Sequence, residues 1–401
     1  MESRTAGRDA RQNRRRGRRR YAPEAVLPTK VAIFLLAFSF TTFAQTPAAS
    51  SVPPSRVAHL RHGINLSAWF AQVYDPRGYT KEHFESWTTS ADIALIRSAG
   101  FDHVRLSVNP QPIMDSTHRH GGSEEYLGNL DAAVKMILDA GLAVEIDMHP
   151  DSDFKQRLAK EDDFVERFSD FWRMIAKRYA SYDSERVFFE IMNEPEMRDA
   201  YRWYGVETKL AAAIRQAAPA NTILAAGAKW DDDDDMIFLE PLRDPNVIYV
   251  FHFYEPHIFT HQGATWGAFY WHWLKDLHYP SDPKNAEAVA ATVPEAVHRL
   301  DVIRYGQDHW DAARIEAEIN QAAEWAKQNS VPLVCNEFGV FRHAQPQDRN
   351  FWIRDVRTSL ERHNIGWAMW DYSDSFGVAV KKDGKSMLDV ETVKALGLKM
   401  P

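Results

Sequence analysis

The chain has 401 residues, with 48 Lys and Arg against 56 Asp and Glu, a formal net charge of -8 and one cysteine. The net charge includes a basic leader, so the remainder is more acidic still, which argues against a nucleic-acid partner. A single cysteine excludes an intramolecular disulfide, and the core must hold by packing, which a chain of this size can do.

In chain order, "RQNRRRGRRR" is a basic block followed by "VAIFLLAFSFTTFA", an apolar run ending at Ala44. A spanning helix needs roughly 20 apolar residues, and this run is shorter. Residues 1–44 are therefore expected to be a cleaved secretory signal, leaving a secreted or periplasmic protein with no stable membrane insertion. The low-complexity "QTPAASSVPPS" marks residues 45–56 as a linker, and 57–401 as one domain.

From there one plan repeats: an amphipathic helix, a turn residue, a short apolar strand, then a polar residue. The strand candidates are "HGINLSAWF", "FDHVRLSVN", "LAVEIDMHP", "RVFFEIMNEP", "NTILAAGAKW", "VIYVFHFYEP", "VPLVCNEFG" and "IGWAMWDYS". Gly100 and Gly141 fall where helices stop and are expected in the left-handed conformation. Eight strands alternating with helices predict an α/β fold, a (β/α)8 TIM barrel, with an extended loop after strand six, from Tyr254 to about Gln307. A doubly wound open sheet is the alternative, but no G-x-G-x-x-G or P-loop follows an early strand.

Polar residues gather at the strand ends: Ser67, Arg105, His149, Asn193 with Glu194, His252 with Tyr254, Glu337, and Trp370 with Asp371. In a parallel barrel these ends share one face, where barrel enzymes build their sites. Glu194 and Glu337 end strands four and seven, so their carboxylates can face each other across the mouth. Two carboxylates flanking a bond suit glycoside hydrolysis, one protonated and one ionised. Partial burial is expected to raise the pKa of Glu194. Trp69, Trp230 and Trp370 offer aromatic faces for pyranose rings. The competing interpretation of a lone strand-end glutamate is a salt bridge to a helix.

"IMNEPEM" resembles the strand-four Asn-Glu-Pro signature of clan A glycosidases, and "VCNEFGVF" their strand-seven Glu-Phe-Gly. With Arg105, His149, His252, Tyr254 and Trp370, the set is similar to glycoside hydrolase family 5, the cellulase family, over about residues 57 to 395. The resemblance implies that Glu194 is the acid/base and Glu337 the nucleophile of a retaining double displacement. It implies that Asn193 binds the sugar 2-hydroxyl, that Arg105 and Tyr254 flank Glu337, and that His149 and His252 bind hydroxyls or tune Glu194. Trp370 would stack under the reacting sugar, and the two carboxyl groups would lie about 5–5.5 Å apart. In "DMHPDSDF", Pro150 and charged residues replace the small Gly-rich segment that follows this histidine in many cellulases of the family.

Three signals compete. His252, His257 and His261 could suggest zinc, yet no H-E-x-x-H pattern appears, so a loop capping a sugar cleft is preferred. Asp231 to Asp235 could suggest calcium, yet a spaced D-x-D-x-D-G loop is absent, and some of these residues are expected to cap a helix N-terminus. Cys335, within an apolar strand, is expected to be buried and structural. The expectation is a monomeric β-glycosidase, with no metal or cofactor, acting on a β-linked oligo- or polysaccharide. An endo-β-1,4-glucanase leads; a β-mannanase, xyloglucanase or exo-β-glucosidase on the same scaffold are alternatives. A carbohydrate-binding barrel without catalysis is the rival of another class, and a metal-dependent hydrolase a third.

Overall fold

Eight parallel strands close into a barrel in chain order: β1 His62–Phe70, β2 His103–Val108, β3 Ala143–Met148, β4 Val187–Glu190, β5 Thr222–Ala226, β6 Val247–Phe253, β7 Leu333–Phe338 and β8 Gly366–Met369. The structure is a computed structural model and describes residues 50–74, 76–114, 122–238 and 240–401. The expected signal lies outside these residues, as does the linker up to residue 49. Among the described residues no helix is long and apolar enough to cross a membrane.

Local signals set the helices between the strands. Helix Ser90–Ala99 opens with a Thr89/Asp92 capping box and closes at Gly100 with φ 102°. Gly141, likewise left-handed with φ 78°, follows helix Gly122–Asp139. Helix Asp162–Tyr179 buries Phe164, Phe168, Phe171, Trp172, Ile175 and Tyr179 along one face. Its Trp172 indole donates to the Ile191 carbonyl at 3.1 Å, tying the helix to the chain just past β4.

The barrel has two interiors, sorted by the two-residue period of its strands. Val187 and Phe189 of β4 join the large apolar layer between strands and helices. Phe188 points into the lumen, where it packs with Leu60, Ala143, Leu224, Ile248, Val250 and Val334. Beneath this plug lies a segment that corrects the expected linker. Residues Pro54–Ala58 form a helix, Val52 and Val57 pack on the plug, and Arg56 is buried against Glu185 at 2.9 Å. Residues 52–56 are thus built into the base of the barrel.

Two further features lie outside the eight-strand plan. β9 Ala379–Lys382 and β10 Lys385–Leu388 form an antiparallel hairpin outside the barrel. Its turn, Asp383-Gly384, has positive φ at both residues, as a type I′ turn requires. The long loop after β6 carries structure of its own, with helices Pro283–Ala290 and Ala296–Gln307 and a 3-10 turn at Phe269–Trp273.

Candidate active site

The period-two pattern continues upward from the plug, but the side chains become charged. Arg105 of β2, with no exposed surface, sits at the centre. It donates to Glu190 at 2.6 and 2.8 Å, to Asn65 at 2.9 Å and to Asn193 at 2.9 Å, and also to Glu337. Asp147 lies 3.1 Å and Glu145 3.6 Å from the same guanidinium. One cation cannot keep so many buried carboxyls ionised. Burial pushes Glu145 and Asp147 well above the usual carboxylate range. Burial would raise Glu190 too, but the charge and hydrogen bonds of Arg105 outweigh it and hold Glu190 at about 2.

From this base a directed chain of hydrogen bonds rises to the mouth. Arg105 donates to the Asn193 amide oxygen, so the Asn193 amide nitrogen faces His149 Nε2 at 3.2 Å and donates to it. His149 Nδ1–H is then left to donate to Asp147 at 2.9 Å. Burial holds His149 at about 3, so the ring is neutral and this tautomer is the one the neighbours select. The ring stacks on Trp370 with centroids 5.7 Å apart and planes 17° from parallel.

The two glutamates are presented differently. Glu337 lies just past a bulge in β7: Phe251 pairs with Cys335 and His252 with Glu337, leaving Asn336 as the extra residue. The bulge lets Asn336 point into the lumen, donating to Glu145 at 2.9 Å, while Glu337 reaches the mouth. There Tyr254 donates to Glu337 Oε2 at 3.0 Å, opposite the Arg105 contact. Glu194 follows β4 in the left-handed region with φ 46°, and its side chain is 31% exposed.

His252 joins the two. Its Nδ1 is 3.2 Å from Glu194 Oε1 and 3.6 Å from Glu337 Oε2, and one ligand-type atom from each of the three lies within 4.8 Å of the others. Burial would lower His252, but the charge of Glu337 and the hydrogen bond that its Nδ1–H donates to Glu194 raise it to about 9. Conversely, burial would raise Glu194, yet the hydrogen bond and charge of His252 hold it at about 2. This reverses the raised pKa expected from burial alone. The proton of the substrate-free pair rests on the imidazole.

The remaining expected residues fall as follows. Trp370 lines a cavity of about 650 Å³ with His149, Glu194, Tyr254, Glu337 and Phe376. Trp230, 55% exposed, lines an adjoining cavity of about 540 Å³ with Glu194, His252, His257, Trp266 and Trp271. Trp69 is a correction: it is 2% exposed, packs on Phe70 and donates to the Phe84 carbonyl at 2.9 Å. β1 loses its register between Leu66 and Phe70, and Ala68 has φ 54°, so strand alternation fails there and Trp69 joins the outer layer.

His257 and His261 belong to the loop after β6, where their rings stack 5.2 Å apart; His257 Nδ1 is 2.9 Å from Glu255. They contribute to the cleft wall. By distance a metal donor set exists instead in Glu194, His252 and Glu337, and another in Glu190, Asp231 and His252. Tyr254 and Arg105 already hold Glu337, and Arg105 holds Glu190. Within the aspartate run, Asp232 caps helix Asp233–Met236 as expected, and Asp235 pairs with Lys229 at 2.6 Å. Asp231 departs from the run, buried and accepting the backbone N–H of Glu194 at 2.7 Å. Cys335 is buried in β7.

Sequence reasoning misses Asn65, Glu145, Asp147, Glu190 and Asp231. For the β3 and β4 carboxyls a signal exists, because charged residues at alternate positions of "AVEIDM" and "VFFE" must face a polar lumen. For Asp231 there is none, since only the turn after β5 separates it from its solvated neighbours.

Comparison with known proteins agrees with this geometry. The family model described as cellulase, glycosyl hydrolase family 5, matches residues 68–376. Endoglucanase C of Acetivibrio thermocellus is 31% identical over 317 residues, 77% of this chain and 90% of that protein. Cellodextrinase A of Ruminococcus flavefaciens is 26% identical over 76% of this chain and 82% of its own length. Among solved structures, endoglucanase Cel5A of Thermotoga maritima matches with a TM-score of 0.68 and 25% identity, covering 86% of this chain and all of that one.

Proposed function

The chain belongs to glycosyl hydrolase family 5, the cellulase family, and hydrolyses O-glycosyl bonds; from that premise we propose that it is an exported endo-β-1,4-glucanase working by retaining double displacement. One observation carries the mechanism: carboxylate oxygens of Glu194 and Glu337 lie within 4.8 Å of each other across the barrel mouth. That spacing matches the roughly 5–5.5 Å of retaining enzymes and leaves no room for the interposed water of inverting ones, whose carboxyls are about 6.5–9.5 Å apart. Two cavities of about 650 and 540 Å³ meet at Glu194, the first also reaching Glu337. An extended cleft of that kind suits a chain that passes through the site, which favours internal cleavage.

The reacting sugar sits over Trp370, and Glu337 attacks its anomeric carbon while Arg105 and Tyr254 fix the carboxylate. As Glu337 commits its charge to the new bond, His252 loses an anionic partner 3.6 Å away. Its proton passes through Glu194 to the leaving oxygen as the glycosidic bond breaks. Glu194, again ionised, then takes a proton from the water whose oxygen displaces Glu337 at the anomeric carbon, which releases the sugar with the starting configuration. The proton returns to His252 to restore the resting pair.

The test is a panel of soluble β-1,4-glucan, mannan and xyloglucan digested by the purified protein, with product lengths and anomeric configuration followed by NMR. Mixed short oligosaccharides from glucan, released first as the β-anomer, are expected. Release of the α-anomer would exclude double displacement, and strictly monomeric or dimeric early products would exclude internal cleavage.

A further inference from the structure

Asp231 is the buried member of an aspartate run whose neighbours cap a helix or pair at the surface. It has no exposed surface, and φ 55° places its backbone in the left-handed region. It touches both partners of the proton-carrying pair. Its Oδ2 accepts the Glu194 N–H at 2.7 Å and lies 3.6 Å from His252 Nε2, while its carbonyl accepts the His252 N–H at 2.8 Å. Among the described residues, His252 Nε2 and Asp231 Oδ1 are buried with no hydrogen-bond partner.

The flanking backbone makes this grip rigid. Trp230 N–H donates to the Pro195 carbonyl at 3.0 Å and Met197 N–H to the Ala228 carbonyl at 3.0 Å, fastening the turn after β5 to the turn after β4. Asp232 pairs with His252 along β6. Glu194 sits at φ 46°, a conformation that costs a non-glycine residue free energy and persists only when its surroundings enforce it. Nothing in this arrangement brings Asp231 to the cleft wall.

We propose that Asp231 is the positioning residue of the acid/base: it holds the Glu194 backbone in its left-handed turn and the His252 ring beside it, so that Glu194 Oε1 stays in reach of both His252 and the leaving oxygen. The proposal rests on the acid/base role given to Glu194 above. It also predicts selectivity, because a misplaced acid matters only to a leaving group that needs a proton.

The experiment compares kcat/KM on two aryl β-glycosides of the disaccharide that the wild type hydrolyses, cellobiose on the reading above. The leaving groups are 2,4-dinitrophenol, which departs without protonation, and phenol, which does not. Asp231→Ala is expected to lower kcat/KM on the phenyl glycoside about 30-fold, through kcat with KM within about twofold, and on the dinitrophenyl glycoside less than about threefold. Asp231→Asn, whose amide oxygen can accept the same N–H, is expected to recover most of the loss. Equal losses on both substrates, or an asparagine variant no better than alanine, would overturn the proposal. The ratio of the two rates does not depend on the folded fraction; should the alanine variant yield no soluble protein, Asp231→Gly, which suits φ 55°, serves in its place under the same two outcomes. A wild type that hydrolyses no aryl cellobioside, but does hydrolyse the mannobioside, would sink the glucanase reading and leave this comparison intact.

Discussion

The two glutamates are the same residue in two different kinds of support. Glu337 stands on a strand and is held through its side chain, by Arg105 and Tyr254, above a lumen packed with further carboxyls. Glu194 stands on a turn and is held through its backbone, by Asp231, while its carboxylate pairs with His252 and faces the cleft. A nucleophile must not move between ground state and transition state, and a clamp of fixed donors ensures that. An acid/base must exchange a proton twice in each cycle, and a partly exposed carboxylate beside a basic imidazole allows it.

This contrast breaks first at Glu337. Glu337→Ala is expected to cut hydrolysis of glucan by a factor on the order of 10⁴ or more, and no choice of leaving group should restore it, because the covalent step is gone. Far-ultraviolet circular dichroism should match the wild type; activity within tenfold would remove Glu337 from the nucleophile role. Glu194→Ala should cost about 10²–10⁴-fold on glucan but far less in the first step on a dinitrophenyl glycoside, where pre-steady-state release reports glycosylation alone. The accumulated intermediate should then react with azide to give the β-glycosyl azide. Formation of the α-azide would exchange the two roles.

Arg105 sharpens the comparison on the stability side. Arg105→Met would leave Glu190 and Glu337 without their cation inside the barrel, and breaking a buried pair from one side typically costs about 3–5 kcal/mol. Urea unfolding should register a loss of that order. A loss below about 1 kcal/mol would mean that the lumen carboxyls simply take up protons, and that the clamp on Glu337 is less rigid than its geometry implies.

The barrel and both glutamates are legible in the sequence because they rest on short-range patterns: helix caps, glycine stops, and apolar runs that end in a carboxyl. What is not legible depends on contacts between distant strands. The number of carboxyls around Arg105 comes from β2, β3, β4 and β7 meeting in one lumen, and no local window contains that. Trp69 misleads because a break in β1 register turns a strand-end aromatic outward. Glu194 misleads because burial alone predicts a raised pKa, and the hydrogen bond and charge of His252, on another strand, are the first causes that reverse it. The Asp383-Gly384 hairpin is the opposite case, a local turn signal that was available in the sequence and went unused.

The smallest expected effect tests that reversal directly, through stability and pH. His252 is raised from an ordinary 6.5 to about 9 in the folded protein. A raised basic group stabilises the fold fully below its unfolded pKa and loses that contribution as pH rises through the folded one. Between pH 6.5 and 9 the loss should be about 2–3 kcal/mol. Glu207, a buried carboxyl pushed up to about 8, erodes stability in the same direction between 4.5 and 8, so the wild-type slope alone does not isolate His252. The difference between wild type and His252→Gln removes the Glu207 contribution, which is common to both, and reports His252 together with Glu194, which loses its cationic partner in the variant. Their stabilities should diverge most near pH 6.5 and converge toward pH 9 and above. A constant difference across that window would place the resting proton on Glu194 rather than on His252, and the acid/base half of the site would then be charged in the way burial alone predicts.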